Sequence, residues 1–158
     1  MQVRVGLGVD LHAWSDDPSR SLVLGGVRFA DGPGLAGHSD ADAAAHACTD
    51  ALLGAAGLGD IGQVFPDTDP RWEGADSVGL LAEATRMVRD EGWEPGNVDC
   101  SVVLDAPKLA PVRREMAEVL TAAVGAPVTV TGRRTEGIGA LGRGEGVVAM
   151  AVAVVTKP

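Results

Sequence analysis

The sequence has no tyrosine, two phenylalanines and three tryptophans, so aromatics make up only 3% of it. A core built on large rings is excluded. Ala, Val and Leu must fill it, and such small side chains suit a sheet packed closely against Ala-rich helices. Positive charge is also scarce: 13 Lys and Arg stand against 22 Asp and Glu, for a net charge of -9. That balance argues against a broad nucleic-acid surface. A phosphate-bearing small molecule is still admissible, given a metal, a few cations or backbone N–H groups. Cys48 and Cys100 are the only cysteines. They lack metal-type spacing and read as small buried hydrophobes, not as a disulfide framework. No apolar run reaches the roughly 20 residues of a membrane helix, and MQVRVGLGVDLHAW lacks the charged leader and long apolar run of a signal peptide. We therefore expect a cytoplasmic, soluble protein with neither a membrane nor a nucleic acid as partner. Its 158 residues read as a single domain, 1–158.

Residues 2–14, rich in Val and Leu, read as a strand, and SLVLGGVRF (21–29) as a hairpin turning at Gly25-Gly26. After a Gly- and Pro-containing loop, Ser39 is suited to cap a helix with Asp40 and Asp42 in its first turn, running to about Ala56. Residues 58–75 read as a long loop, a kind of segment that is often functional. Asp76 and Ser77 are suited to cap a second helix reaching about Glu91. Strands over 98–106, 127–132 and 146–155 accompany a third helix from near Pro111 to Val124 and a Gly-rich segment at 137–146. This order predicts an α+β domain, a mixed four-stranded sheet with helices on one face plus a small hairpin. Apolar residues fill both alternating sets of 146–155, so that strand should be buried on both sides. The helices are too few for that, and self-association through the sheets is expected.

Chemistry concentrates near the first strand and the first helix. Asp10 and His12 stand at i and i+2, on one face of a strand. Asp42, His46 and Asp50 recur every four residues and would form one helical stripe. Two imidazoles and a carboxylate suit a catalytic zinc site whose fourth position stays open, with Asp42 and Asp50 as supporting or substrate-contacting groups. His38 and Ser39 precede the helix N-terminus, where a phosphate can be received. Asp60, Asp67 and Asp69 occupy the long loop, Lys108 follows a strand, and Arg133, Arg134, Glu136, Arg143 and Glu145 gather around glycines.

The segments GVDLHAW, HSDADAAAHACTDALLGAAGLGDIGQVFPDTDP, DAPKL and GRGEG follow in order. On these motifs, which span nearly the whole chain, the sequence resembles the 2-C-methyl-D-erythritol 2,4-cyclodiphosphate synthase family of non-mevalonate isoprenoid biosynthesis. The resemblance implies a phosphorus–oxygen lyase that converts 4-diphosphocytidyl-2-C-methyl-D-erythritol 2-phosphate into the cyclic diphosphate and releases CMP. It implies a homotrimer with active sites between subunits. It implies that Asp10, His12 and His46 hold zinc or another divalent ion, and that a second ion, magnesium or manganese, sits near Glu136. His38 and Ser39 would contact substrate, His38 supporting the transition state. Asp60, Ile61 and Gly62, with Phe65, Pro66, Asp67, Thr68 and Asp69, would bind the methylerythritol part. Leu104, Asp105, Ala106, Pro107, Lys108, Leu109 and Ala110 would bind the cytidine end. Arg133, Arg134, Thr135 and Glu136 complete the substrate-binding set. Arg143 and Glu145 would line the trimer axis, Arg143 also touching a nucleotide phosphate.

The sequence departs from the family at defined points. Arg133-Arg134-Thr135-Glu136 stands where the family commonly has Thr-Thr-Thr-Glu, and one replaced threonine is a transition-state contact. Arg134 is therefore a candidate catalytic residue that either supplies charge to the phosphate or obstructs it. Val9 and Ala140 replace aromatics. Two other readings are open. One is a trimeric protein that binds isoprenoid diphosphates or metal without turnover, motivated by Arg133 and Arg134. The other is a metal-dependent hydrolase acting on a related phosphodiester.

Overall fold

The computed structural model describes residues 1–158. Its elements are β1 (Gln2–Ala13), β2 (Val23–Leu24), β3 (Val27–Arg28), α1 (Ala43–Ala56), α2 (Ile61–Val64), α3 (Ser77–Asp90), β4 (Glu94–Val103), α4 (Arg113–Val124), β5 (Val128–Arg133), α5 (Gly139–Gly142) and β6 (Gly146–Lys157), with a 3-10 turn at Pro70–Trp72. The main sheet has the order β1-β6-β4-β5, and β2-β3 form a separate hairpin. β6 runs antiparallel to β1 and β4, whereas β4 and β5 are parallel. The expected α+β class and mixed four-stranded sheet are both present.

Small residues decide how α1 meets the sheet. Alternation along β1 turns Gly6, Gly8, Asp10 and His12 to one face. A Cβ at Gly6 would stand 1.9 Å from the carbonyl oxygen of Ala51, and one at Gly8 2.0 Å from that of Ala47. Only glycine admits a helix backbone at that distance. Beside them β6 offers Ala149, Ala151 and Ala153, all buried. The helix therefore lies directly on β1 and β6, and residues on its sheet-facing side reach the end of β1.

The opposite face of β1 and β6 carries Val3, Val5, Leu7, Val9, Leu11, Met150 and Val152, each between 40% and 66% exposed. The second face of β6 is thus open within the single chain, where the burial expected from its sequence would have to come from self-association through the sheets. α1, α3 and α4 cover only the other side. On the same outer face β4 and β5 are polar, with Ser101 and Thr131 hydroxyls 2.8 Å apart.

Two local expectations are corrected. The first helix begins at Ala43 with Asp42, not Ser39, as its N-cap. Ala41 has φ of 58°, which no helix accommodates, so residues 39–42 form a turn in which Ser39 Oγ accepts from Ala41 N at 3.1 Å. The Asp42 carboxylate, fully buried, accepts from the amides of Gly25, Gly26 and Ala45, joining the hairpin turn to the helix. Residues 58–75 are not a structureless loop. Asp60 caps α2, Asp69 caps the 3-10 turn with Pro70 in its first turn, and Asp50 receives Ile61 N at 2.7 Å. Phe65, packed with Leu53, Leu80 and Ala84, anchors the segment to the helices.

Candidate metal centre

Asp10, His12 and His46 converge where the end of β1 meets α1. Their donor atoms form a compact triangle. Asp10 Oδ2 is 2.9 Å from His12 Nε2 and 3.4 Å from His46 Nδ1, and the two nitrogens are 3.3 Å apart. Ligands at about 2.0–2.1 Å from a tetrahedral zinc stand roughly 3.3 Å apart along each edge. The triangle matches one face of that tetrahedron. Asp10 Oδ2 is also shut off from water and accepts no aligned hydrogen bond despite those close nitrogens. A buried carboxylate oxygen in that position is costly without a positive partner. The donor set and the orphaned oxygen together fit a divalent cation.

The other ring nitrogens are committed elsewhere. His12 Nδ1 is 2.7 Å from the Ala36 carbonyl oxygen, so it must donate, leaving the Nε2 lone pair for the triangle. His46 Nε2 lies 2.8 Å from Ser77 Oγ and 3.2 Å from Ser39 Oγ. Burial disfavours the charged forms of Asp10 and His12. The proximity of the two histidines nonetheless holds Asp10 below the usual carboxylate value, and Asp10 holds His12 above the usual imidazole value.

A cleft of about 330 Å³ opens beside the triangle, with His38, Ser39, Ile61, Gly62, Phe65, Asp67, Trp72 and Leu80 in its wall. Of the expected methylerythritol segment, Ile61, Gly62, Phe65 and Asp67 line this cleft. Asp60 and Asp69 serve as caps, and Pro66 and Thr68 are outside the lining. His38 is exposed. It does not sit at the N-terminus of α1 as expected, because the Asp42 carboxylate occupies that end. The helical stripe also dissolves: His46 alone of Asp42, His46 and Asp50 joins the triangle.

The segment expected to bind the cytidine end lines a different cleft. Leu104, Asp105, Pro107, Lys108, Leu109 and Ala110 line a second cleft of about 240 Å³ with Arg113, Arg133 and Arg134. The two clefts share no lining residue. Arg134 Nε is 3.8 Å from Asp105 Oδ1, and its side chain is 78% exposed. Asp105 instead accepts from the Thr135 hydroxyl at 2.6 Å and amide at 3.1 Å, which hold its carboxyl below the usual range. Ala106 and Arg143 border a further cavity of about 610 Å³. Glu136 is exposed, at φ of 53°, outside the triangle. Arg143 and Glu145 are exposed and paired at 2.7 Å.

Sequence reasoning missed Ser77, Asp40, Trp72, Leu80 and the Ala36 carbonyl. Ser77 was legible only as a capping residue and Asp40 only as a first-turn acid, and no local signal ties them to a histidine.

Residues 3–156 match the model of the YgbB family. The chain belongs to the YgbB family. A relative from Rubrobacter xylanophilus, named 2-C-methyl-D-erythritol 2,4-cyclodiphosphate synthase, is 54% identical over 98% of this chain and 95% of its own. A solved synthase of the same name, in a CDP-bound form, superposes with a TM-score of 0.87 at 40% identity, over 97% of this chain and 100% of that one. The bifunctional IspDF of Campylobacter jejuni gives a TM-score of 0.93 at 36% identity, over 99% of this chain and 43% of its own. The family that the sequence motifs resemble is thus the family found, and its relatives are named as enzymes. A non-catalytic binding role is not favoured.

Proposed function

We propose that residues 1–158 form one cyclodiphosphate synthase domain. It closes 4-diphosphocytidyl-2-C-methyl-D-erythritol 2-phosphate into 2-C-methyl-D-erythritol 2,4-cyclodiphosphate and releases CMP, as a phosphorus–oxygen lyase of isoprenoid biosynthesis. The observation that carries this reading is the triangle of Asp10, His12 and His46, with its orphaned oxygen, at the mouth of a cleft.

In the reaction an oxygen of the 2-phosphate attacks the β-phosphorus. A new P–O bond forms, the bond from that phosphorus to the bridging oxygen breaks, and CMP departs with the electron pair. Nucleophile and electrophile share one molecule, so positioning replaces a protein nucleophile. Asp10, His12 and His46 would hold zinc or another divalent ion, which would supply Lewis-acid charge to a phosphate oxygen, and Glu136 would help to hold magnesium or manganese, which would supply the same to the diphosphate. Ile61, Phe65, Trp72 and Leu80 give the carbon skeleton an apolar seat and limit water, which would otherwise compete as nucleophile. His38 and Ser39 stand at the rim to contact the reacting phosphates. Lys108, Arg113, Arg133 and Arg134 give the second cleft cations for the nucleotide phosphates. Arg134 there serves as a charge donor in place of the family's threonine. The CDP-bound relative supports a nucleotide subsite.

A substrate that needs both clefts must bridge chains if they lie apart in each one. The open apolar face of β1 and β6 supports a homotrimer, with the metal cleft of one subunit meeting the nucleotide cleft of the next and Arg143 and Glu145 near the axis. Two free buried thiols, Cys48 and Cys100, suit a reducing compartment such as the cytoplasm. No helix is long and apolar enough to cross a membrane. The test is release of CMP and a cyclic diphosphate phosphorus NMR signal from the cytidylyl substrate with zinc and magnesium. A linear diphosphate product would instead indicate a hydrolase.

A further inference from the structure

His46 differs from His12 in how its far nitrogen is held. The partner of His12 is a backbone carbonyl, fixed by the chain itself. The partner of His46 is the Ser77 hydroxyl, 2.8 Å from Nε2, brought from the first turn of α3. Ser77 is fully buried. Its Oγ makes a very close contact with Asp40 Oδ1, and its amide donates to Asp40 Oδ2 at 3.3 Å. A serine hydroxyl has one proton, and a carboxylate can only accept. The Ser77 proton is therefore committed to Asp40. Facing His46, Ser77 Oγ can then only accept. His46 must carry its proton on Nε2, which leaves the Nδ1 lone pair directed at Asp10 Oδ2 and His12 Nε2. Ser39 Oγ, 3.2 Å from the same Nε2 and already accepting from Ala41 N, is compatible with that tautomer. The Asp42 amide, 3.2 Å from Asp40 Oδ1, keeps the carboxylate in place.

We propose that Asp40 and Ser77 form a carboxylate–hydroxyl relay that locks His46 in the tautomer able to ligate a divalent cation. They are positioning residues: neither belongs to the donor triangle. The inference rests on the metal reading of Asp10, His12 and His46. The relay joins the 39–42 turn, α1 and the start of α3, so docking of α3 and the readiness of the metal centre are coupled. Hydrogen bonding to the Asp40 carboxylate polarises the hydroxyl and makes it a better acceptor for the Nε2 proton.

The test uses the full chain loaded with cadmium-113 and labelled with nitrogen-15 in its histidines. The expected spectrum couples cadmium to Nδ1 of His46 and Nε2 of His12, with Nε2 of His46 as a protonated, pyrrole-type nitrogen. Zinc titrations against a chromophoric chelator then compare wild type with Ser77→Ala and Asp40→Asn, with thermal melts to establish folding. Removing such a partner weakens metal binding by about 10–100-fold. That loss is expected for Ser77→Ala, and a smaller one for Asp40→Asn, which keeps an accepting oxygen. If Ser77→Ala does not fold, Asp40→Asn decides. Cadmium coupled to Nε2 of His46, or wild-type zinc affinity in the folded variants, overturns the relay while leaving the metal centre standing. A wild type that binds neither ion overturns the metal centre and the relay with it.

Discussion

The Nδ1 of His12 donates to the Ala36 carbonyl across 2.7 Å, and this contact aims Nε2 at Asp10. Residue 36 belongs to the loop before α1, so loop, strand and helix must all dock before the donor triangle exists. Function therefore depends on close packing some distance from the chemistry, and the first expectation concerns that packing.

Gly8→Ala puts a methyl group 2.0 Å from the Ala47 carbonyl oxygen. The helix carrying His46 must lift from β1. We expect a loss of about 3 kcal/mol, read as a melting temperature lower by roughly 6–12 °C, together with weaker zinc binding. An unchanged melting temperature would show that α1 does not rest on the strand in this way.

Asp42 tests the reassignment of the helical stripe. Asp42→Ala leaves the amides of Gly25, Gly26 and Ala45 without their acceptor. A loss of about 3 kcal/mol is expected from unsatisfied buried donors, with zinc still bound one per chain. Abolished zinc binding in a folded Asp42→Ala protein would return Asp42 to the metal centre.

Asp105 supplies a pH signature. Its folded pKa lies below the ordinary 3.8, chiefly through the Thr135 hydroxyl and then the Thr135 amide. A depressed carboxyl stabilises the fold above its unfolded value, and that contribution fades as pH falls through the folded value. Melting temperatures of wild type and Asp105→Ala should therefore differ near neutrality and draw together in acid. A gap that widens below pH about 4 would contradict the assignment.

The outer sheet face tests assembly. Leu7 pairs opposite Val152, and both are exposed in the single chain. Light scattering of wild type should give about three times the 16.1 kDa chain mass, whereas Leu7→Glu should give monomers with little CMP release. A fully active monomer would remove the proposal that active sites span subunits.

Much of this was legible in the sequence because it follows simple periodicities. Strand alternation put Asp10 and His12 on one face, and the Ala-rich run made the helix bearing His46 evident. Gly25-Gly26 marked the hairpin turn. The start of α1 was misread because the positive φ of Ala41 interrupts the segment, which converts Asp42 from a first-turn residue into a cap. Asp60 and Asp69 looked available for ligands, yet each closes a local turn that needs its carboxylate. The contact of Ser77 with His46 spans 31 residues and depends on how α3 packs against α1, which no local pattern encodes.

The most direct measurement is single-turnover release of CMP from the cytidylyl substrate, followed in metal-stripped protein, in protein reloaded with zinc and magnesium, and in His46→Ala under the same reloading. The account expects turnover only in the reloaded wild type. Equal CMP release from the metal-stripped protein, or from folded His46→Ala, would contradict it.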